Sequence, residues 1–541
     1  MMRTLSGGPR TARLVRRALG AAAVAAMIGA STTTGFAHAA PTAAFGDCPD
    51  GSVAPDRGAR CAIVTVPMDY TRPDGPTIEL TVSRIAASGT SRGAIFTNPG
   101  GPGADALNYW AARTDVLPAE LFRDYDLVAV QPRGLRWGTP LQCAGATAIA
   151  ETDASGKQVS LGGGSRDEIK AACDAAQPGY LDTITTENTA RDMDAVRAAL
   201  GLERISFFGT SYGTYLGAVY ASLFAPRVDR MVLDSNVNPN WVWTEEFARQ
   251  QVAGKQRMDD LFAWIAEHDA DYRLGGTALQ VYRNWVRLVS AQGGGWYANL
   301  TPPPASVADL PGELPAPLAE VARDGVNQTA DQGAQVQNLV RTLLSGGASA
   351  QVPLVGATAV ATYTRSYWPT FAKAMAEANF DPSNVQRLMA IEGATATDPT
   401  GRFVFSAITC NENAVEPRPE LLASAVATIA SGGNAMDARA DMVRSGTSCG
   451  GWRPVTKPVP ITGAGLETRP LLLHSRHDAL TEYEGGPALA QALNGSLITV
   501  EGGDHGTFGR ANPTVDDAVL TYLSTGRVSI DRADQAPLPT R

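Results

Sequence analysis

The feature that most constrains the fold of this chain is the five-residue stretch Gly209-Thr210-Ser211-Tyr212-Gly213. The apolar residues 204–208 before it have the composition of a buried strand, and residues 214–221 after it have that of a helix. Glycine at both ends lets the strand and the helix approach each other closely across a tight turn. Such a turn lifts the Ser211 hydroxyl clear of the sheet and directs the helix N-terminus, with its free N–H groups, at a nearby oxyanion. The pattern predicts a nucleophilic serine.

Strand, G-x-S-x-G and helix in this order predict the nucleophile elbow of an α/β-hydrolase. A glycine- and serine-containing loop that matches the pattern by chance is the alternative, and the flanking strand and helix argue against it. Further runs of strand and helix type alternate along the chain, and residues 62–66 and 77–82 predict a hairpin ahead of them. This alternation predicts a mostly parallel central sheet with the active site at the carboxyl ends of its strands.

A serine hydroxyl becomes a good nucleophile only when an imidazole accepts its proton and a carboxylate orients that imidazole. The chain has five histidines, and only His505 follows the last predicted strand in a glycine-flanked loop, where this fold carries its base. Asp478, just beyond the preceding strand, is the predicted acid, and Asp234, after an earlier strand, is the alternative. Asp504 is excluded because adjacent side chains in an extended loop diverge. We predict a catalytic triad of Ser211, Asp478 and His505.

The glycine-rich loop Asn98-Pro99-Gly100-Gly101-Pro102-Gly103 follows a predicted strand at residues 93–97. In this fold, the loop after that strand supplies one N–H group of the oxyanion hole, and the residue after the nucleophile supplies the other. We therefore predict that the backbone N–H groups of Gly101 and Tyr212 form the oxyanion hole. A purely structural turn is the alternative for the glycine loop.

The pattern changes between residues 239 and 405, where strand-like runs are scarce and amphipathic helical stretches dominate. We predict a helical cap, residues 239–405, inserted between two parts of the hydrolase domain, residues 40–238 and 406–525. A loose tail is expected at residues 526–541. Tryptophans are frequent in the predicted cap, and we expect them in its core rather than in substrate subsites.

The first 39 residues, 1–39, have the features of a secretory signal peptide. Arginines precede an apolar, alanine-rich run at residues 18–30, and Ala37-His38-Ala39 offers a small-residue cleavage site. The apolar run is too short to cross a bilayer, so we expect a secreted, extracellular protein. The net charge of −9 argues against nucleic acid and anionic membranes as partners. A monomer that needs no cofactor and no metal is expected.

Six cysteines in an exported chain predict disulfide bonds. A buried free thiol is the alternative for each of them. Proximity in the sequence favours three pairs: Cys48 with Cys61, Cys143 with Cys173, and Cys410 with Cys449.

Taken together, the motifs of this chain resemble those of secreted bacterial tripeptidyl aminopeptidases, which belong to the proline iminopeptidase-like α/β-hydrolases. The resemblance runs from about residue 61 to the C-terminus. It depends on the elbow, the glycine loop, the segments around Asp478 and His505, and three further motifs: Gln131-Pro132-Arg133-Gly134, Asn188-Thr189-Ala190-Arg191-Asp192 and Cys410-Asn411-Glu412. Two departures bear on subsite preference, because they lie beside the oxyanion region. Gln131 replaces an aspartate of the family, and Leu135-Arg136-Trp137 replaces a smaller glycine-containing turn.

The resemblance implies a serine exopeptidase that releases tripeptides, or alternatively tetrapeptides, from free N-termini of peptides and unfolded proteins, with a proline bias at the cut. Such an enzyme needs an anion for the substrate ammonium at three residues, or roughly 10 Å, from the serine. Glu245 and Glu246 at the start of the predicted cap are the first candidates, and Glu412 is the second. Acids that are merely solvated at a helix start are the alternative. A secreted carboxylesterase or lipase with the same triad is the rival function, and a catalytically inactive binding protein is a third.

Overall fold

A central sheet and its helices make up the described part of the chain. The computed structural model describes residues 43–143, 164–312, 314–345, 352–394, 398–413, 416–450 and 452–538. The predicted signal peptide lies outside these residues.

Nine strands of the described residues form one sheet. Their bounds are β1 (Ala59–Pro67), β2 (Thr77–Ile85), β3 (Ala94–Asn98), β4 (Asp126–Val130), β5 (Ile205–Ser211), β6 (Val228–Asn236), β7 (Leu471–Ser475), β8 (Ser496–Glu501) and β9 (Arg532–Asp534). Their spatial order is β1-β2-β4-β3-β5-β6-β7-β8-β9. The β1–β2 and β2–β4 pairs are antiparallel, and the six other neighbouring pairs are parallel. The predicted hairpin and the mostly parallel sheet are confirmed.

Helices surround this sheet and fill the long interval between β6 and β7. The α-helices of the described residues are α1 (Ala119–Asp124), α2 (Gly164–Ala176), α3 (Thr186–Ala199), α4 (Tyr212–Phe224), α5 (Thr244–Glu267), α6 (Asp269–Tyr272), α7 (Ala278–Ala291), α8 (Ala316–Leu344), α9 (Pro353–Tyr363), α10 (Trp368–Phe380), α11 (Gln386–Gly393), α12 (Pro399–Asn411), α13 (Pro419–Ala430), α14 (Ala435–Arg444), α15 (Gly485–Leu493) and α16 (Pro513–Thr525). We call the segment that carries α5 to α14 the helical insertion.

Apolar side chains cover both faces of the sheet, and others form a separate core within the helical insertion. Phe207 and Phe208 are consecutive in β5 and belong to cores on opposite faces, because side chains alternate along a strand. Every residue of β3 and of β7 is buried, which explains why each strand begins with three apolar residues in a row. Trp285 and Trp368 lie in the core of the insertion, 1% and 4% exposed, where tryptophans were expected.

The helical insertion is longer than the sequence pattern indicates. The predicted boundary at residues 405 and 406 cuts through α12, and the next described strand, β7, begins only at Leu471. Helices also alternate with strands in the hydrolase domain, so the helical pattern of α13 and α14 does not mark them as part of the insertion. Arg444 at the end of α14 nevertheless forms an ion pair with Glu245 at the start of α5.

The predicted loose tail also differs from the structure. Residues 532–534 form β9, which pairs in parallel with β8 from Thr499 to Glu501. Its flanking residues Arg532 and Asp534 are exposed, and only Ala533 is buried. Backbone hydrogen bonds to β8 attach this strand, and only one of its three side chains is apolar, so its composition hides it in the sequence.

Candidate active site

Ser211 occupies a sharp turn between β5 and α4. Its backbone has φ 59° and ψ −129°, a conformation that a residue with a side chain rarely adopts. A Cβ atom at Gly209 would overlap the carbonyl oxygen of Gly213, and one at Gly213 would overlap that of Asn98. Both positions therefore require glycine. The turn places the serine at the carboxyl end of β5 and at the N-terminus of α4, as the sequence pattern predicts.

Asp478 and His505 form a hydrogen-bonded pair at the carboxyl ends of β7 and β8. The His505 Nδ1 atom lies 3.0 Å from each carboxylate oxygen of Asp478. The backbone N–H groups of Leu480 and Thr481 also donate to Asp478 Oδ1, at 2.9 and 3.0 Å. Burial disfavours the charged carboxylate, but the attraction and hydrogen bond of His505, together with His474, hold the pKa of Asp478 well below its ordinary value. The pair is an ionised carboxylate that orients an imidazole.

The loop that carries His505 lies beside the serine elbow. A Cβ atom at Gly506 would be 3.5 Å from Thr210 Cγ2, so the residue after the histidine faces the residue before the serine. Asp234, the alternative acid in the sequence, holds this loop: its Oδ2 accepts the N–H groups of Thr507 and Phe508 at 2.7 and 2.9 Å. Asp234 therefore anchors the segment after the histidine, and Asp478 is the carboxylate that contacts the ring.

The helical insertion also fixes the histidine loop. The His505 N–H group donates to the carbonyl of Tyr363, the last residue of α9, at 2.7 Å. Asp504 forms an ion pair with Arg257 of α5 at 3.0 Å, and its Oδ1 accepts the Arg365 N–H group at 2.7 Å. Asp504 points away from the imidazole, as the divergence of adjacent side chains predicts.

The glycine loop after β3 rests directly on the elbow. A Cβ atom at Gly100 would be 2.7 Å from the Thr210 carbonyl oxygen, 2.8 Å from Ser211 Cβ and 3.3 Å from the Tyr212 nitrogen. The Gly100 N–H group donates to Asn98 Oδ1 at 2.9 Å, so it is already occupied. The next N–H group along the loop is that of Gly101.

The three glutamates predicted to bind a substrate ammonium lie in three different environments. Glu245 forms ion pairs with Arg249 at 2.7 Å and Arg444 at 2.8 Å, and the Arg444 hydrogen bond lowers its pKa. Glu412 is buried and accepts hydrogen bonds from the Thr186 N–H and hydroxyl groups and, at 3.1 Å, from Trp243 Nε1. Burial raises the pKa of Glu412 to about 7. Both side chains are engaged by protein partners.

Glu246 differs from the other two because one of its oxygens is free. Its Oε2 accepts the Asn238 N–H group at 3.3 Å, whereas its Oε1 is buried without a hydrogen-bond partner among the described residues. Burial, with smaller contributions from the nearby charges of Asp478 and Glu482, raises the pKa of Glu246 to about 8. A buried carboxyl oxygen without a partner costs free energy, and a bound cation would offset that cost.

The sequence assigned no role to two motifs, residues 131–134 and 188–192, and the structure places them in contact. Arg133 and Asp192 form a buried bidentate ion pair, with Nε–Oδ2 and Nη2–Oδ1 distances of 2.7 and 2.6 Å. Gln131, one of the departures from the family pattern, accepts the Ala106 N–H group at 3.0 Å and donates to the Arg136 carbonyl at 2.8 Å. These contacts tie the loop after β4 to the segment that follows the glycine loop. The Arg133–Asp192 and Gln131–Ala106 contacts could not be read from the sequence, because their partners lie 59 and 25 positions apart.

All three disulfides favoured by the sequence are present: Cys48–Cys61, Cys143–Cys173 and Cys410–Cys449. Within the described residues, no group of three or more histidine, cysteine, aspartate or glutamate side chains is arranged to hold a metal ion. None of the described helices has the length and apolar character needed to cross a membrane.

Family models agree with this architecture. The model described as "alpha/beta hydrolase fold" matches residues 93–303, and the model described as "TAP-like protein" matches residues 435–535. The parallel sheet and the serine elbow, together with these matches, make the chain an α/β-hydrolase.

Proteins that are similar to this chain over most of its length show which family of α/β-hydrolases it belongs to. A tripeptidyl aminopeptidase of Streptomyces lividans is 32% identical over 89% of this chain and 84% of its own. The serine protease Hip1 of Mycobacterium tuberculosis is 27% identical over 87% and 86%, and carboxylesterase B of the same species is 28% identical over 92% and 91%. The chain belongs to the tripeptidyl aminopeptidase family and is a serine peptidase that acts on peptides.

Proposed function

We propose that this protein is a secreted exopeptidase that releases tripeptides from free N-termini through an acyl-enzyme on Ser211. The observation that carries the proposal is the buried Asp478–His505 pair, held by its loop contacts against the serine elbow. The name of the Streptomyces relative supports the exopeptidase activity. The three disulfides are compatible with export, which the predicted signal peptide would direct.

In the proposed mechanism, His505 accepts the Ser211 proton as the hydroxyl attacks the scissile carbonyl. Asp478 keeps the imidazole in the tautomer that leaves Nε2 free, and it stabilises the imidazolium that forms. The N–H groups of Gly101 and Tyr212 donate to the oxyanion. His505 then gives its proton to the leaving amine, and water releases the peptide from Ser211.

Glu246 is the group that we propose for the substrate ammonium. Glu245 and Glu412 are engaged by protein donors, whereas Glu246 has a free oxygen and lies close enough to Asp478 for their charges to interact. An ammonium beside Glu246 would favour the ionised carboxylate, so binding and ionisation would support each other. The distance from this site to Ser211 sets the length of the released peptide.

The test compares an alanyl-alanyl-prolyl anilide with its N-acetylated form and with a short-chain ester. Removal of a charge-assisted hydrogen bond costs about 1.5–3 kcal/mol, so acetylation should lower kcat/KM by about 10- to 100-fold. Glu246→Gln should reduce this difference without abolishing ester hydrolysis. Ser211→Ala should abolish labelling by a serine-directed phosphonate.

The same experiment distinguishes the rival function, a carboxylesterase such as the relative of that name. An esterase would hydrolyse the ester and be indifferent to acetylation of the anilide. Equal rates on the free and acetylated anilides would refute the exopeptidase, and persistent labelling of the Ser211→Ala variant would refute the nucleophile.

A further inference from the structure

A cavity of about 280 Å³ lies inside the helical insertion next to the proposed triad. Helices α5, α7, α9 and α14 contribute most of its wall. Ala479 and Leu480, which also line it, directly follow Asp478, and Tyr363 of the wall accepts the His505 N–H group at 2.7 Å. The cavity therefore shares its wall with the groups that position the histidine. Its volume is near the lower end of ordinary ligand pockets, which suits one or two amino-acid residues.

Among the described residues that line this cavity, Arg439 is the only charged one. Its side chain is partly buried, and it forms no ion pair or hydrogen bond with any other described residue. Arg133 and Arg257, which are buried, do have partners: Arg133 forms an ion pair with Asp192, and Arg257 forms one with Asp504. The nearest aromatic group is the Tyr297 ring, whose centroid lies 6.0 Å from the guanidinium carbon.

A guanidinium without a partner in a partly enclosed site is costly unless an anion joins it. Burial lowers the pKa of Arg439, but a guanidinium starts so high that it remains protonated at neutral pH. Burial also raises the pKa of Tyr297, whose hydroxyl therefore keeps its proton and can donate to an anion. The cavity thus offers a cation and a hydrogen-bond donor, and none of its described lining residues carries a negative charge.

We propose that Arg439 binds a carboxylate of the substrate and gives the enzyme a preference for peptides with Asp or Glu in the released segment. This inference rests on the proposed function, since it places the released segment in the cavity. The guanidinium fork matches the planar carboxylate in a bidentate arrangement. The substrate ammonium is repelled from Arg439 and binds elsewhere, at Glu246, which lies one helical turn before the lining residue Gln250.

The first experiment uses pairs of tripeptidyl anilides that differ only by Glu or Gln at the first or the second position. At one of the two positions, the wild type should cleave the Glu peptide about 10-fold faster in kcat/KM than the Gln peptide. Arg439→Met should bring this ratio to about one and leave kcat/KM for the Gln peptide within about 2-fold. Arg439→Lys should retain part of the preference, because a point charge replaces the fork.

Arg387→Met is the matched control. It removes one positive charge from the insertion at an exposed pair with Glu377, outside the cavity, and should leave the Glu-to-Gln ratio unchanged. Thermal melts of all variants check the fold, and Arg439→Met should melt no lower than the wild type, because it removes an unpaired, partly buried charge. A wild type without a Glu preference, or an Arg439→Met variant that keeps it, overturns the proposal. An equal loss on both peptides also overturns it, because it indicates a structural role.

A second pair of substrates separates this proposal from the exopeptidase itself. The p-nitrophenyl monoester of glutaric acid and the same ester of glutaramic acid acylate a serine without needing an ammonium site. If no anilide is cleaved but Arg439→Met removes a preference for the glutaric ester, the exopeptidase fails and the carboxylate site stands. If the esters are cleaved equally by the wild type and no anilide pair shows a preference, the carboxylate site is refuted.

Discussion

Asp192→Asn tests whether the ion pair between the two sequence motifs holds the sheet and its loops together. The side chains of Arg133 and Asp192 are 0% and 1% exposed, and they share two hydrogen bonds. The substitution keeps the shape of the side chain and leaves a buried guanidinium without its counter-charge. Loss of one partner of such a pair typically costs about 3–5 kcal/mol. For about 500 residues, the unfolding entropy corresponds to about 1 °C in Tm per kcal/mol, so Tm should fall by about 3–5 °C.

The double variant Arg133→Met, Asp192→Leu completes a thermodynamic cycle. It should lose less stability than the sum of the two single variants, Arg133→Met and Asp192→Leu, because no unpaired charge remains. It should still melt below the wild type, because Arg133 also donates to the Met68 and Thr183 carbonyls at 2.8 and 3.2 Å. Calorimetry at pH 7 under non-reducing conditions gives the comparison. A decrease in Tm of less than about 1 °C for Asp192→Asn, or stability losses of the two single variants that sum to that of the double variant, would refute the reasoning.

Three further predictions concern the site. Asp478→Asn should lower kcat by about 10,000-fold, the effect of losing the orienting carboxylate in such a triad; a steady-state assay showing less than about 10-fold would remove Asp478 from the triad. Gly100→Ala should lower kcat/KM by about 100-fold or more, because its Cβ would lie 2.7 Å from the Thr210 carbonyl oxygen. The control Gly325→Ala, in α8 with no atom within 4 Å of the new Cβ, should stay active; equal activities would contradict the close packing. Folded Glu246 keeps its proton up to about pH 8, against an ordinary pKa of 4.5, so its contribution to stability is lost as the pH rises across that interval. The Tm of Glu246→Gln should therefore fall less than that of the wild type between pH 5 and about 8. Parallel curves of Tm against pH for the two proteins would contradict the raised pKa.

Local pattern and chain order were sufficient to predict the serine elbow, the positions of Asp478 and His505, the hairpin and the disulfide pairs. The roles of neighbouring glutamates were not predictable in the same way. Glu245 and Glu246 are adjacent, so on a helix their side chains point about 100° apart, one towards solvent and one towards the core. Which of the two glutamates faces the core depends on the rotation of α5 about its axis and on the ion pair with Arg444, almost two hundred positions away. Neither the rotation of the helix nor this contact can be predicted from the sequence alone.

The end of the insertion and the C-terminal strand escaped prediction for a related reason. α13 and α14 are assigned to the insertion by what they contact, and a helical pattern alone does not tell an insertion helix from a helix of the hydrolase domain. β9 is held by the backbone ladder with β8, and a backbone ladder leaves no mark on composition. Elements defined by their partners, rather than by their own residues, are the ones that a single sequence conceals.

The contact between α9 and the histidine loop restricts how this enzyme can be re-engineered. Exchange of the helices above the sheet for those of another hydrolase would remove the Tyr363 carbonyl that receives the His505 N–H group, and the arginines that neutralise Asp504. A chimaera built only to change substrate preference would thereby lose the alignment of its general base. Transplants that succeed should be those that carry an equivalent carbonyl and guanidinium with them.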